Sequence, residues 1–458
     1  MAQFTVDELR RATGGRLRQG EETTPVFGVS TDSRKIMDGS VFLALSGENF
    51  DGHDFAAEAL AKGAAGLIVS RPLSGTVPQT AFVIEVSDTL RALQDIARYH
   101  RLKYDIPVIA VTGSNGKTTT KDLIAAVLAE KFTTLKTEAN YNNEIGLPLT
   151  LLSLHGGHEA AVVEMGMRGL GEIKALTEIA LPNMAVVTNV GETHLELLGS
   201  QENIALAKAE LVEALDSRGV AFLNGDDPRV RGMAARCKGE VLYYGTTSNA
   251  DVWADEIKVV DGGTTATVNA GNHRFSVSLP MPGRHNILNA MAAVAVGLRL
   301  GLSAREMRQG LSRFTPTALR LDILTTPEGY TLINDAYNAS PLSMRAAVDT
   351  LTDVAAGRKI AVLGDMLELG EISEPAHRQI GGYAAEKGVS GLFTFGGQAA
   401  YIAEGARQAG RQPDYIGTFD NMETLVQKLR AFLRAGDTVL IKGSRGMRME
   451  RVCKALQG

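Results

Sequence analysis

The segment Thr112–Thr118 has the residue types of a loop that binds phosphate groups. It reads Thr-Gly-Ser-Asn-Gly-Lys-Thr and follows a short apolar run, Val108–Val111. A segment with helical periodicity, Thr118–Lys131, comes after it. A buried strand, a glycine-rich turn and a helix in this order are the context in which phosphate-binding loops occur. The sequence therefore predicts a nucleotide site here. The alternative is a glycine-rich turn that carries an exposed lysine.

Each residue type in this loop has its own chemical use. Gly113 and Gly116 allow backbone N–H groups to close around phosphate oxygens, and the start of the next helix adds partial positive charge. Lys117 would pair with the β- and γ-phosphates, and the Thr118 hydroxyl would bind Mg²⁺. Val111 stands where the usual spacing has its first glycine, so the loop is a shortened variant. The residues predicted to contact the nucleotide are Gly113, Ser114, Asn115, Gly116, Lys117, Thr118 and Thr119.

Two further polar side chains lie where apolar runs end. Glu164 follows Ala160–Val163, and a carboxylate at the C-terminal end of a parallel strand points into the ligand crevice. Mg²⁺ prefers oxygen ligands, so Glu164 is a candidate metal ligand; the alternative is a solvated glutamate. His194 comes shortly after Ala185–Thr188, and a lone histidine there is more often a structural hydrogen-bonding group than a ligand. Lys208 lies in an alanine-rich helical stretch, whose pattern alone indicates a surface lysine.

The composition is that of a folded protein with several domains. A chain of 458 residues corresponds to roughly three domains. Hydrophobic residues make up 44% and charged residues 22%, which excludes wholesale disorder. The net charge of −5 disfavours nonspecific binding to nucleic acid, and the two cysteines disfavour a disulfide framework. The N-terminus lacks the layout of a signal peptide, and no apolar run reaches the roughly 18 residues of a membrane span. We therefore expect a cytoplasmic protein without membrane insertion.

The periodicity divides the chain into three α/β units. Residues 1–105 mix short strands with helices, and residues 106–315 begin with buried parallel strands. Alternating polar and apolar residues at 251–279 predict antiparallel hairpins, after which two helices follow. Residues 316–458 again alternate apolar runs with helical segments. The predicted fold class is α/β with three domains: a small α/β domain, a central phosphate-loop parallel sheet with an antiparallel addition, and a C-terminal Rossmann-like domain.

Together these segments resemble the Mur ligases, the ATP-dependent enzymes that form peptide bonds in peptidoglycan synthesis. The shortened phosphate loop is similar to theirs. Four more of their motifs have counterparts in this chain: Thr137–Pro148, Glu164–Gly166, Asn189–Glu196 and Gly283–Ala290. Five others are similar to the family members that add D-alanyl-D-alanine, namely Thr31–Arg34, Phe50–Phe55, Asn334–Pro341, Leu363–Gly370 and Lys442–Met447. The resemblance covers essentially the whole chain, with the motifs in the expected order.

The resemblance implies an activity, its substrates and its cofactors. ATP would drive the joining of D-alanyl-D-alanine to the C-terminal carboxylate of UDP-N-acetylmuramoyl-tripeptide through an acyl phosphate. The first domain would bind the UDP-linked peptide and the central domain would bind ATP. The implied catalytic residues are Lys117, Glu164, His194 and Lys208. One Mg²⁺ would be held by Thr118 and Glu164, and a second by His194 and Lys208, with the lysine carbamylated by CO₂ so that it becomes an oxygen ligand.

The resemblance also implies contacts to the nucleotide and to the two substrates. Asn286 and Asn289 share a helix face and would meet the adenine, although Asn286 could instead cap that helix. Arg320 and Asp335 would reach the nucleotide when the domains close. The predicted substrate contacts are Ser30, Thr31, Asp32, Ser33, Arg34, Asn140, Asn143, Tyr337, Asn338 and Ser340. A turn-forming role is the alternative for the segment from Asn338 to Pro341.

The sequence also has other interpretations. Within the superfamily, the rivals are the tripeptide-forming amino-acid adder and a folylpolyglutamate synthase, and the motifs Asn334–Pro341 and Gly364–Gly370 disfavour both. A nucleotide-dependent switch or motor, and a binding module without turnover, are rivals of other classes. The sequence does not distinguish lysine from diaminopimelate as the third residue of the peptide substrate. We expect a monomer.

Overall fold

The protein has a mixed α/β structure, which confirms the predicted fold class. The computed structural model describes residues 2–47, 50–260, 262–317 and 319–457. In this part of the chain the strands form sheets of five, nine and six strands and one two-stranded ribbon. Within the same ranges, no helix is long and apolar enough to cross a membrane. The domain limits at residues 105 and 315 stay a prediction, although each of the three larger sheets draws its strands from one predicted domain.

The first sheet is parallel except for one edge strand. From edge to edge its strands are Arg16–Gln19, Phe82–Glu85, Gly66–Val69, Val41–Leu43 and Val29–Ser30. The first of these is antiparallel to its neighbour. The ribbon pairs Gln3–Thr5 with Pro25–Phe27. The α-helices of this unit are Val6–Thr13, Ala56–Ala61 and Thr89–Arg101.

The central sheet has seven strands with parallel pairing and an antiparallel extension at one edge. From that edge its strands are His273–Leu279, Gly263–Ala270, Val252–Val260, Glu240–Gly245, Val220–Asn224, Met184–Val187, Val108–Thr112, Ala160–Glu164 and Thr134–Lys136. The extension is the pair of antiparallel hairpins that alternation predicts. The α-helices are Lys117–Leu128, Gly146–Leu151, Glu172–Ala180, Leu195–Leu198, Gln201–Glu213, Pro228–Gly232, Arg284–Arg299 and Ala304–Ser312.

The third sheet is also parallel apart from one edge strand. Its order is Asp322–Thr325, Thr331–Asp335, Thr438–Lys442, Lys359–Gly364, Gly391–Phe395 and Tyr415–Phe419. The first of these runs antiparallel to its neighbour. The α-helices are Pro341–Val354, Ser373–Glu386, Ala399–Gln408, Met422–Phe432 and Glu450–Gln457.

The position of strand Val108–Thr112 decides where the site lies. Its neighbours are strands Ala160–Glu164 and Met184–Val187, and both run parallel to it. The carboxyl ends of parallel strands meet at one edge of a sheet, and ligands bind there. The phosphate loop, Glu164 and the segment that leads to His194 therefore leave the sheet side by side.

The units share hydrophobic cores across the predicted limits. Helix Thr89–Arg101 packs against the central unit: the ring Nε2 of His100 lies 2.9 Å from the carbonyl oxygen of Leu154, and Arg101 Nε donates to the carbonyl of Ala180 at 3.1 Å. Its buried apolar residues belong to the same cluster as Val108 of the central sheet. Local periodicity does not predict such contacts, because it carries no information on which helix faces which sheet.

One alternative from the sequence is wrong. The helix predicted from Asn286 begins at Arg284, and Gly283 is its N-cap residue with φ of 104°. Asn286 therefore lies inside the helix and does not cap it. Its side-chain Nδ2 donates to the carbonyl oxygen of Pro282 at 2.8 Å.

Candidate active site

One cavity of about 990 Å³ collects most of the residues that the sequence predicts for the nucleotide, metal and acceptor. It lies between the central and third units. The predicted residues that line it are Ser114, Asn115, Gly116, Lys117, Thr118, Thr119, Asn140, Asn143, Glu164, His194, Asn286, Asn289, Arg320, Asp335, Tyr337 and Asn338. Gly113, Lys208, Ser340 and the segment 30–34 do not line it.

The phosphate loop has the conformation that its glycines predict. Gly116 has φ of 79° and is the N-cap residue of helix Lys117–Leu128. Gly113 has φ of 150°, and a Cβ atom there would lie 1.8 Å from Thr188 Oγ1. That hydroxyl donates to the carbonyl oxygen of Asn115 at 2.6 Å, so it cannot move without losing a bond that shapes the loop. The first glycine thus keeps the loop close to the neighbouring strand end.

We expect Gly113→Ala to lower both stability and ATP affinity. The added methyl group must displace Thr188 or strain the backbone, which should reduce the free energy of unfolding by about 1–3 kcal/mol. Thermal unfolding and calorimetric ATP titration measure the two effects. Gly232→Ala is the matched control, because Gly232 has φ of −64° and a Cβ atom there would meet nothing beyond its own helix within 4 Å. A Gly113→Ala variant that matches wild type in both measurements would contradict this account of the loop.

Lys117 is held among the carbonyl groups of its own loop. Its Nζ donates to the carbonyl oxygens of Gly113 at 2.7 Å and of Ser114 at 3.3 Å. Burial lowers the pKa of Lys117, and the positive charge of Arg320 lowers it further, while Glu164 opposes both. Several cationic groups therefore converge on this end of the cavity, which suits a ligand with several negative charges.

Glu164 is the last residue of its strand, and two side chains orient it. Thr118 Oγ1 donates to Glu164 Oε2 at 2.8 Å, and Asn142 Nδ2 donates to Oε1 at 2.7 Å. Glu164 is 2% exposed. A hydroxyl and a carboxylate in contact beside a phosphate loop are the hard oxygen donors that Mg²⁺ prefers. The donor set thus fits a magnesium ion.

His194 faces the third unit. Its Nδ1 lies 2.6 Å from Glu368 Oε2. Burial is the largest cause that lowers the pKa of His194; the charges of Lys117 and Lys208 lower it too, and Glu368 raises it. A neutral imidazole is the form that binds metal ions.

Lys208 is not the surface lysine that its helix pattern suggests. It is 2% exposed, and burial together with the charge of Lys117 lowers its pKa well below the ordinary value. In the described ranges, no group of three or more histidine, cysteine, aspartate or glutamate side chains is placed to hold a metal ion. A second metal site at His194 therefore needs an additional oxygen donor, and a carbamate on Lys208 would be one.

The predicted adenine contacts lie against the phosphate loop. Asn289 Nδ2 donates to Asn286 Oδ1 at 3.3 Å, and Thr120 Oγ1 donates to Asn289 Oδ1 at 3.3 Å. A Cβ atom on Gly116 would lie 2.8 Å from the same Asn289 oxygen. Helix Arg284–Arg299 thus packs closely against the start of the loop helix. Both asparagines line the cavity, so they can reach a base whose phosphates occupy the loop.

The third unit brings two cationic side chains to the cavity. The guanidinium carbon of Arg320 lies 4.0 Å from the ring centre of Tyr337. Its Nε is buried without a hydrogen-bond partner among the described residues, which leaves a donor for a ligand. Lys442 is buried, and its Nζ lies 2.5 Å from Asp335 Oδ2 and 2.9 Å from the carbonyl oxygen of Asn338. Asp335 therefore lines the cavity as half of an ion pair.

Ser340 caps a helix and makes a contact between units as well. It is the N-cap residue of helix Pro341–Val354 and accepts a hydrogen bond from the backbone N–H of Ser343. Its Oγ also donates to Asn115 Oδ1 at 2.8 Å. The phosphate loop and the third unit are joined by this bond.

The predicted substrate residues of the first unit lie apart from the cavity, at the end of strand Val29–Ser30. Asp32 Oδ1 accepts from the backbone N–H of Arg34 at 3.0 Å and from its Nε at 2.8 Å. This guanidinium is the main cause that lowers the pKa of Asp32 to about 2. Ser33 Oγ donates to Glu58 Oε2 at 3.2 Å. The loop is thus built from polar groups that bond to one another, with the Arg34 side chain exposed.

Three side chains at the site were not singled out from the sequence. Asn142, rather than Asn140 or Asn143, bonds to Glu164, while Asn143 Oδ1 accepts from the backbone N–H groups at the start of helix Gly146–Leu151. Asn189 holds the phosphate loop through both its amide atoms, which bond to the backbone of Asn115. The third side chain is Glu368. Asn142 and Asn189 lie inside motifs of the family, but spacing alone does not tell which amide faces inward.

The fold and the loop define an ATP-dependent α/β enzyme. Sequence models of three domains match the chain: the catalytic domain of the Mur ligase family at residues 25–101, the Mur ligase middle domain at 111–297, and the glutamate ligase domain of Mur ligases at 319–445. The chain is 40% identical to the UDP-N-acetylmuramoyl-tripeptide–D-alanyl-D-alanine ligase of Bacillus subtilis, over 100% of this chain and 99% of that protein.

Solved structures give the same assignment. The fold is similar to a crystal structure of MurF from Acinetobacter baumannii, with a TM-score of 0.91, 32% identity and coverage of 99% of each chain. It is also similar to MurF ligase from Thermotoga maritima in complex with ADP, with a TM-score of 0.84, 31% identity and coverage of 94% of this chain and 97% of that one. The chain belongs to the Mur ligase family.

Proposed function

We propose that this protein joins D-alanyl-D-alanine to the C-terminal carboxylate of UDP-N-acetylmuramoyl-tripeptide, at the expense of ATP. The observation that carries the proposal is the cavity of about 990 Å³, where the phosphate loop and Glu164 face residues of the third unit. Such a cavity can hold a triphosphate and an acceptor amine side by side. The names of the relatives from Bacillus subtilis and Escherichia coli, 40% and 36% identical over the full chain, support the choice of substrates.

The chemistry must overcome the low reactivity of a carboxylate. Its negative charge repels nucleophiles, and it has no good leaving group. When a carboxylate oxygen attacks the γ-phosphorus of ATP, a new O–P bond forms, the bond to the β,γ-bridging oxygen breaks, and ADP departs. The amine of D-alanyl-D-alanine then attacks the acyl carbon. Inorganic phosphate leaves with the original carboxylate oxygen, and the amine gives up a proton.

The residues of the cavity meet the electrostatic demand of the first step. An anionic carboxylate must approach an anionic triphosphate, so positive charge is needed on the phosphates. Lys117 and Arg320 are placed to provide it, with Lys117 released from its loop carbonyls toward the phosphate oxygens. Backbone N–H groups at the start of helix Lys117–Leu128 add to the same field. Closure of the third unit over the loop excludes water, which protects the acyl phosphate from hydrolysis.

The side chains could provide ligands for two magnesium ions. The first site has its oxygen ligands in place, whereas the second requires a modified lysine. Thr118 and Glu164 would hold the ion that neutralises the transferring phosphates, because both oxygens already lie together. His194 and Lys208 would hold a second ion only after the lysine amine has reacted with CO₂. That reaction forms an N–C bond and releases a proton, and it requires the neutral amine that a lowered pKa provides.

The first domain would bind the UDP-linked end of the substrate. Ser30, Thr31, Asp32, Ser33 and Arg34 are the candidates, and the planar guanidinium of Arg34 can pair with a diphosphate. Its bonds to Asp32 would then be exchanged for bonds to the ligand. The peptide would extend from there toward the cavity, where Tyr337 and Asn338 would meet the acceptor.

Oxygen labelling tests the proposed reaction directly. UDP-N-acetylmuramoyl-tripeptide labelled with ¹⁸O in its terminal carboxylate is incubated with ATP, Mg²⁺ and D-alanyl-D-alanine. We expect one labelled oxygen in each inorganic phosphate released, because the acyl phosphate passes that oxygen to phosphorus. Unlabelled phosphate together with labelled peptide product would contradict the acyl-phosphate route.

Omission of single substrates separates this proposal from its rivals. Phosphate release that needs neither the UDP-tripeptide nor D-alanyl-D-alanine would favour a nucleotide-dependent switch, and ATP binding without any turnover would favour a binding module. Glutamate or a diamino acid accepted in place of D-alanyl-D-alanine would favour another ligase of the family. Parallel assays with the lysine and the diaminopimelate forms of the UDP-tripeptide identify the third residue.

A further inference from the structure

Glu368 of the third unit reaches the histidine of the central unit. Its Oε2 lies 2.6 Å from His194 Nδ1, although the ring N–H is not aligned with the carboxylate well enough to count as a hydrogen bond. The backbone N–H of Glu196 donates to the carbonyl oxygen of Glu368 at 3.3 Å. A Cβ atom on Gly370 would lie 3.3 Å from Glu196 Cα, so the two backbones pass close together here. The Glu368 side chain is 53% exposed, but the contact also includes the backbones of the two segments.

The two residues share an uncommon backbone conformation. His194 has φ of 57° and Glu368 has φ of 63°, both in the left-handed region. This conformation costs a residue with a Cβ atom about 1 kcal/mol or more. Strain of this kind persists where the surrounding structure holds it, and it is frequent at functional sites. His194 and Glu368 thus both have a backbone conformation of higher energy at the point where they contact each other.

The backbone of the loop that carries Glu368 is fixed by hydrogen bonds to two other segments of the third unit. The backbone N–H of Met366 donates to His377 Nε2 at 2.9 Å, and that of Leu367 donates to Ser444 Oγ at 2.9 Å. His377 and Ser444 are both buried. Because two buried side chains hold the backbone of this loop, Glu368 has a defined position. A glutamate on an unrestrained surface loop would not.

The geometry points to a positioning role for Glu368, which rests on the proposed function. We propose that its carboxylate docks on His194 Nδ1 when the third unit closes, stabilises the closed arrangement, and orients the imidazole so that Nε2 is left for the ligand side of the site. Histidines that bind metal ions are commonly oriented in this way by a carboxylate on their other nitrogen. The catalytic constellation is then complete only when the units have closed.

Two substitutions at Glu368 test the proposal. Glu368→Ala removes the acceptor, and we expect kcat of ligation to fall about tenfold, the effect of losing the hydrogen bond that the carboxylate would form with His194 Nδ1 on closure. The KM for the UDP-tripeptide, which is bound mainly by the first unit, should stay within about twofold of wild type. Glu368→Gln keeps an acceptor oxygen of similar reach and should retain at least about a third of the wild-type kcat. Small-angle scattering of the full chain with ATP and Mg²⁺ should give a larger radius of gyration for Glu368→Ala than for wild type.

Glu371→Gln is the matched control, because Glu371 is exposed three residues further along the chain, in the short 3-10 helix Gly370–Ile372. It should leave both kcat and the radius of gyration unchanged. The proposal requires both changes in Glu368→Ala, so a wild-type value of either quantity overturns it, as does a Glu368→Gln variant as impaired as Glu368→Ala. If wild type makes no ligation product, the proposed function is wrong. The comparison of the radii of gyration still tests whether Glu368 stabilises the closed arrangement.

Discussion

Replacing Lys208 by alanine should reduce ligation by about 10³-fold or more. Lys208 is 2% exposed, and burial is the main cause that lowers its pKa well below the ordinary value, which favours the neutral amine. A neutral amine can take up CO₂, and the product would be an anionic oxygen ligand for the metal site proposed at His194. Alanine offers no amine, and therefore excess bicarbonate should not restore activity. Steady-state assays with and without bicarbonate measure the effect.

Two controls separate this chemistry from a loss of folding. Lys174→Ala changes an exposed lysine on helix Glu172–Ala180 and should leave kcat unchanged. Thermal unfolding of Lys208→Ala should show a folded protein, because burial and the charge of Lys117 both disfavour a charged amine at this position, so its removal breaks no ion pair. Short carboxylic acids that enter the space of the missing side chain should restore part of the activity. Wild-type turnover in Lys208→Ala would remove the carbamate from the mechanism.

Lys117→Ala should lower kcat by a similar factor, about 10³-fold, for a different reason. The substitution removes the cation nearest to the β- and γ-phosphates, so repulsion between the carboxylate and the triphosphate is no longer offset. The loop backbone and the residues around the base remain, so ATP should still bind, although more weakly. Ligation rates and calorimetric titration with ATP distinguish the two effects.

Lys238→Ala serves as the control for overall charge, because Lys238 is exposed and lies outside the cavity. It should leave both kcat and ATP affinity at wild-type values. A Lys117→Ala variant with near-normal kcat would show that backbone N–H groups and other cations suffice for phosphoryl transfer. The role proposed for Lys117 would then be wrong.

The sequence predicted the part of the site that is built locally. The phosphate loop, Glu164 and His194 follow three parallel strands, and their order along the chain with the apolar runs before them is enough to place them at one sheet edge. The α/β fold class follows from the same alternation of runs. The fold class and these positions after the strands were predictable because a strand and its following loop are set by neighbouring residues.

Other residues at the site depend on contacts between distant segments. Three asparagines lie within four positions, and only the fold shows that Asn142 faces Glu164 whereas Asn143 holds the start of a helix. The pattern around Lys208 suggests exposure, but the packing of its helix on the central unit buries it. Glu368 contacts His194 although the two residues are 174 positions apart in the sequence, from 194 to 368.

The amino-acid sequence alone determined the family, the three α/β units and the loop that faces the phosphates, since hydrophobic periodicity and short motifs act over a few neighbouring residues. The tertiary structure decided which side chains share the cavity, that Lys208 is buried, and that the third unit reaches the site through Arg320, Ser340 and Glu368. The physical reason is that burial and electrostatic pairing depend on the distance between side chains in space, and residues far apart in the chain come together only when the units have folded and packed.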